Sequence, residues 1–77
     1  MKEKTLNELK IEEIGVVYRI VGEETIKRRL LDLGLIPYTY ITPIMKSITG
    51  DPIAYEVRNI ILAILKQDAD KIIIEKK

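Results

Sequence analysis

The residues able to do chemistry in this sequence are few. The 77-residue chain contains no histidine and no cysteine, so the commonest general base, the commonest transition-metal ligand and every thiolate are missing. Ser47 is the single serine, and there is no imidazole to activate it. Gly15, Gly22, Gly34 and Gly50 stand isolated, with no phosphate-binding loop around any of them. An enzymatic role is not expected. A bound metal would be left with carboxylates, carbonyls and water, and such donors suit hard cations. Glu12, Glu13, Glu23, Glu24, Asp68 and Asp70 are the acidic candidates. No glycine and no distant glutamate complete a calcium loop around Asp68 and Asp70. Asp68 reads better as the cap of a short helical turn, so neither a metal site nor a cofactor is expected.

What remains is binding chemistry. Lys27, Arg28 and Arg29 would present cations to an acidic partner, although Glu23–Lys27 and Arg28–Asp32 share the i,i+4 spacing that neutralises charge locally. Arg29→Glu is expected to leave folding intact and to touch only partner binding. Gly50-Asp51-Pro52 has the composition of a turn first and of an exposed recognition loop second. Tyr18, Tyr38, Tyr40 and Tyr55 are the only aromatic side chains. Without Trp or Phe they lack the usual chemistry of a groove for proline-rich peptides. Three of them fall in expected strands, where packing accounts for them, and Tyr38 is left as an exposed contact.

Thirteen basic residues face 12 acidic ones. That balance disfavours a nucleic-acid binder, which needs a concentrated basic surface for phosphate contacts. No apolar run approaches the roughly 18 residues that span a bilayer. The start, Met1-Lys2-Glu3-Lys4, leads into no signal-peptide core. A cytoplasmic location without direct membrane insertion is expected.

These residues need a frame. Thr5-Leu6-Asn7-Glu8 has the pattern of a capping box, opening one helical turn anchored by Leu6 and Leu9. Val16 to Val21, bounded by Gly15 and Gly22, is β-branched and predicts a strand. From Glu23 to Leu33 the period changes: Ile26, Leu30 and Leu33 recur at helical spacing, predicting a helix of about three turns. Its end is marked by Gly34 for a left-handed C′ position, Leu35 to pack back on Leu30, and Pro37 to forbid resumption. Leu30→Asp is expected to unfold the domain.

Tyr38 to Met45 returns to a strand pattern, and Pro43 places it at an edge or a bulge. Ile53 to Arg58 alternates, Asn59 marks a tight connection, Ile60 to Leu65 is a further strand, and Ile72-Ile73-Ile74 is the last. The expectation is a single domain over 1–77: mainly β, a small closed or nearly closed barrel of about five strands with one inserted helix. Exposed strand edges make a homodimer a reasonable expectation.

Arg28-Arg29-Leu30-Leu31-Asp32-Leu33-Gly34-Leu35-Ile36-Pro37 resembles the first signature of the FeoA family (ferrous iron transport protein A). Gly50-Asp51-Pro52-Ile53-Ala54-Tyr55-Glu56-Val57-Arg58 resembles its second block, and Leu62-Ala63, Asp68-Ala69 and Ile72 its third. The resemblance implies an SH3-like barrel serving beside FeoB, a membrane ferrous-iron permease with a cytoplasmic GTPase domain. The partner-binding candidates, read from the residues themselves, are Lys27, Arg28, Arg29, Tyr38, Gly50, Asp51, Pro52 and Arg58. Similar domains end metal-dependent repressors, which leaves a nucleic-acid-binding or metal-sensing regulatory domain as the alternative. Two departures stand out: Tyr38 and Asn59 occupy positions where the family usually has glycine. Ile64 to Ala69 also departs from the family's third block.

Overall fold

Each β-branched run of the sequence becomes a strand. The computed structural model describes residues 3–77, so Met1 and Lys2 of the expected start and of the expected 1–77 domain lie outside the described residues. Along the chain come β1 (Lys4–Thr5), a 3₁₀ turn (Leu6–Glu8), β2 (Gly15–Ile20), α1 (Glu24–Asp32) and β3 (Tyr40–Lys46). There follow β4 (Ile53–Val57), β5 (Ile60–Ile64), α2 (Lys66–Ala69) and β6 (Ile72–Lys76). All pairings are antiparallel, in one six-stranded sheet of order β1-β6-β2-β3-β4-β5.

The strand beyond the expected five is β1, whose Lys4 and Thr5 pair with Ile74 and Ile73. Two residues are too few to show a period. No pairing joins β1 to β5 among the described residues, so backbone hydrogen bonds do not close the barrel and each keeps a free edge.

The core draws on every layer: Leu6 and Leu9 near the 3₁₀ turn, Val17, Ile41, Tyr55, Val57, Ile72 and Ile74 from the strands, Leu30 and Leu35 from α1 and its exit. β4 shows the alternation that its sequence predicts, with Ile53, Tyr55 and Val57 buried and Glu56 exposed. β2 begins at Gly15 for a steric reason: a Cβ there would stand 2.8 Å from Leu9 Cδ1.

Pro43 resolves in favour of the bulge. β3 is an interior strand, but its pairing with β4 shifts between Pro43 and Met45, and β2 pairs only with Tyr40 and Ile41. The missing proline N–H is therefore not needed on the β2 side. The Pro43 carbonyl instead accepts a bond from Glu12 N–H at 2.7 Å, docking the 10–13 turn. That turn is stapled further by Glu13, whose carboxylate meets Lys76 Nζ at 2.7 Å and accepts Lys10 N–H at 2.8 Å. The Lys76 bond, then the Lys10 bond, hold the Glu13 carboxyl below its ordinary range.

The end of α1 follows its sequence signals. Gly34 has φ +101, Leu35 N–H reaches Leu30 O at 3.2 Å, and Gly34 N–H reaches Leu31 O at 2.9 Å. This bond pair is the Schellman motif. Only Leu30 of the expected stripe is fully buried. Ile26 is partly buried, and Leu33, displaced to the C-cap, is exposed.

Candidate functional site

The charged and apolar candidates of the sequence centre on α1 and its exit, which frame a candidate contact surface. Lys27, Arg28 and Arg29 do lie together on α1, but their charges are spent differently. Lys27 is half-buried and stands 4.0 Å from Glu24, not from Glu23 as the i,i+4 spacing predicted. Arg28 is exposed and forms no ion pair among the described residues, and the expected Arg28–Asp32 pair is absent from them. Arg29 reaches out of the helix to Asp68 Oδ1 of α2 at 2.8 Å. Glu24, Thr25, Arg28, Arg29 and Asp32 line a shallow cleft of about 450 Å³ on this face.

Asp68 is accordingly not the cap that its position in the sequence predicted. α2 begins at Lys66 with Leu65 as N-cap, and Asp68 lies inside it. The side chain that satisfies the α2 N-terminus is Asp51, whose Oδ1 accepts Lys66 N–H at 3.0 Å. Gly50-Asp51-Pro52 is thus partly a structural joint. Gly50 takes φ +88, its N–H donates to Ser47 O at 2.9 Å, and Pro52 O accepts Ser47 N–H at 3.2 Å.

Arg58 leaves β4 rather than ending it: Arg58 (φ 52) and Asn59 (φ 69) form a two-residue hairpin between the paired Val57 and Ile60. Positive φ at both positions is the primed turn that matches strand twist. The Gly50-Asp51-Pro52 turn and Arg58 flank opposite ends of β4, five residues long at about 3.3 Å each. The structure therefore does not gather all eight sequence candidates into one patch.

Past the helix, Tyr38 is 76% exposed with φ 71, the backbone geometry that favours glycine at this place. Its main chain is held firmly, with Tyr38 N–H on Val17 O at 2.6 Å and Val17 N–H on Thr39 O at 2.8 Å. Tyr18 and Tyr40, assigned to packing by their strand positions, are in fact exposed, and Lys77 Nζ lies 5.5 Å from the Tyr40 ring centre. Tyr18 falls where the β2–β6 pairing shifts between Val17 and Arg19, and Tyr40 opens β3. Tyr55 alone is buried. Burial, then the Asp51 charge, push its phenol up to about 12.

Leu31, Leu33 and Ile36 are also exposed. Together with Arg28, Asp32 and Tyr38 they make the stretch from the middle of α1 to the start of β3 a mixed apolar and charged surface. Leu33 is a residue of the expected buried stripe, and Leu31 is visibly surplus to it. Among the described residues, no three His, Cys, Asp or Glu side chains are grouped as a metal site, and no helix is long and apolar enough to cross a membrane.

Comparison with known proteins adds a lineage to this geometry. The FeoA domain family model matches residues 4–76. A FeoA-like protein from Clostridium acetobutylicum is 34% identical, over 99% of this chain and 88% of that one, with TM-score 0.89. An iron uptake regulatory protein (FeoA) is 26% identical over the full length of both chains, with TM-score 0.85. The fold is shared as well with a zinc-complexed FeoA from Stenotrophomonas maltophilia, described as an SH3 domain protein (24% identical, 94% of this chain and 89% of that one, TM-score 0.81). No curated protein matches the sequence.

Proposed function

The chain belongs to the FeoA domain family, associated with ferrous iron transport and built on an SH3-like fold, and from that premise we propose that it is an accessory protein of ferrous-iron uptake. In this reading it docks on the cytoplasmic, GTPase-bearing part of a FeoB-type permease and modulates uptake or nucleotide turnover. It works in the cytoplasm and acts by contact, with no reaction of its own. The observation that carries the reading is the rigid, exposed surface of Arg28, Leu31, Leu33, Ile36 and Tyr38.

Several features favour that surface over the other candidates. Its backbone is pinned by the Schellman motif and the Tyr38–Val17 bond, so docking costs little ordering entropy. Aromatic and arginine side chains on an apolar patch are the common anchors of protein interfaces. Lys27 and Arg29, by contrast, are partly engaged within the chain.

The test is co-purification with a FeoB-type permease, comparing wild type with the double variant Arg28→Glu/Tyr38→Asn. Both side chains are exposed, and asparagine tolerates the positive φ of residue 38. Association that is lost in the variant while its thermal melt is retained supports the reading. No association with wild type, or equal association with both, refutes it.

A further inference from the structure

Lys10, Lys46 and Lys66 come from three separate elements: the loop after the 3₁₀ turn, the last residue of β3 and the first residue of α2. The fold brings them to one cleft of about 520 Å³, within the range of about 300–1,000 Å³ usual for ligand pockets. Its apolar lining is Leu9, Ile11 and Ile53. Leu9 and Ile53 are nearly buried, and Ile11 is exposed.

The carboxylates nearest these lysines are engaged elsewhere: Glu13 pairs with Lys76, Asp51 accepts the Lys66 main-chain N–H, and both leave the ammonium groups themselves unpaired among the described residues. Glu8 is the one acid lining the cleft, and its Oε2 accepts Thr5 N–H at 2.9 Å. None of the three ammonium groups forms an ion pair among the described residues. Their backbones are held in place. Lys66 N–H bonds Asp51 Oδ1 at 3.0 Å, and its carbonyl accepts Asn7 Nδ2 at 2.9 Å. Lys10 N–H bonds Glu13 Oε1 at 2.8 Å, and the Glu12–Pro43 bond ties that loop to β3. Three like charges around a concave, apolar-lined surface focus a positive potential that an anionic ligand relieves.

We propose that this cleft docks a short acidic peptide segment of a partner protein, with one apolar side chain set between carboxylates. The apolar side chain packs on Leu9, Ile11 and Ile53, and the carboxylates meet Lys10, Lys46 and Lys66. A small inorganic anion leaves the apolar lining unused. A polynucleotide needs a longer basic track than three lysines in a chain of net charge +1. This surface is distinct from the α1 face and does not depend on docking there.

The test is a titration of the ¹⁵N-labelled full chain, at 50 mM salt, with acetyl-Glu-Asp-Leu-Glu-Asp-amide. Its Gln/Asn counterpart, its Leu→Gly counterpart and inorganic phosphate are the controls. The expected result is amide shifts at Lys10, Ile11, Lys46, Ile53 and Lys66, with affinity falling at least fivefold in 500 mM salt and in Lys46→Glu. Lys66→Gln is the second variant should Lys46→Glu lose the folded spectrum. No shifts at millimolar peptide, shifts elsewhere only, or equal shifts from any of the three controls overturn the proposal.

Discussion

Reversing the charge of Arg29 should destabilise the domain rather than merely remove a surface contact. The guanidinium Nη2 stands 2.8 Å from Asp68 Oδ1, with side-chain exposures of 58% for Arg29 and 16% for Asp68. Asp68 has therefore given up much of its hydration, and Arg29 rather little. Unit charges about 4 Å apart interact by about 1 kcal/mol in water and about 4 kcal/mol at the effective dielectric of a protein surface. The exposure of Arg29 pulls the value toward the lower figure, as exposed pairs measure about 0.2–1 kcal/mol.

Arg29→Glu loses that attraction and adds a comparable repulsion, for a total of about 1–2 kcal/mol. In a domain of this size about 1 kcal/mol moves Tm by roughly 4–8 °C, so a drop of about 5–15 °C is expected. The exchange Arg29→Glu/Asp68→Arg restores opposite charges across the same gap and should recover most of it. Circular-dichroism melts of wild type, both single variants and the exchange, at 50 and 500 mM salt, measure the coupling directly. Salt should shrink the difference, since the pair is partly exposed. A wild-type melt for Arg29→Glu, or an exchange no more stable than the single variant, would refute the reasoning.

Three further outcomes are expected. Leu30→Asp should abolish cooperative unfolding, because it places an unpaired charge at a position 1% exposed; a cooperative melt near wild type contradicts that. Gly34→Ala should cost about 1 kcal/mol from backbone strain alone, since φ is +101 and no atom lies within 4 Å of the new Cβ. A urea midpoint unchanged from wild type would disprove the strain. Tyr55 makes stability fall with rising alkalinity: its phenol stays neutral in the folded chain up to about 12, while the unfolded chain ionises near pH 10. The loss should run at about 1.4 kcal/mol per pH unit between those values; urea midpoints from pH 9 to 11.5 should show it, and Tyr55→Phe should flatten the slope.

Much of the fold was legible because its signals are local. Period two in Ile53, Tyr55 and Val57 and the Gly34-Leu35-Pro37 stop each report geometry over a few residues. The observed bonds and burial follow them. The sequence also limited the chemistry, since a chain without His and Cys offers few nucleophile–base or soft-metal options. Where reading failed, the deciding partner was distant. Asp68 looked like a cap and is an ion-pair partner 39 positions from Arg29. Asp51 looked like a turn residue and caps a helix 15 positions on. Tyr18 and Tyr40 looked like core because a strand pattern does not say which face of the sheet lies bare.

The sequence by itself determined the longer elements, the stop of α1 and the family blocks, since backbone propensity and apolar period act between near neighbours. Only the tertiary structure decided which charges are spent and which are free. It paired Arg29 with Asp68 and left Arg28 exposed. It brought Lys10, Lys46 and Lys66 around one cleft, with no ion pair to any of the three among the described residues. Coulomb interactions depend on distance in space, and antiparallel pairing brings residues tens of positions apart into contact.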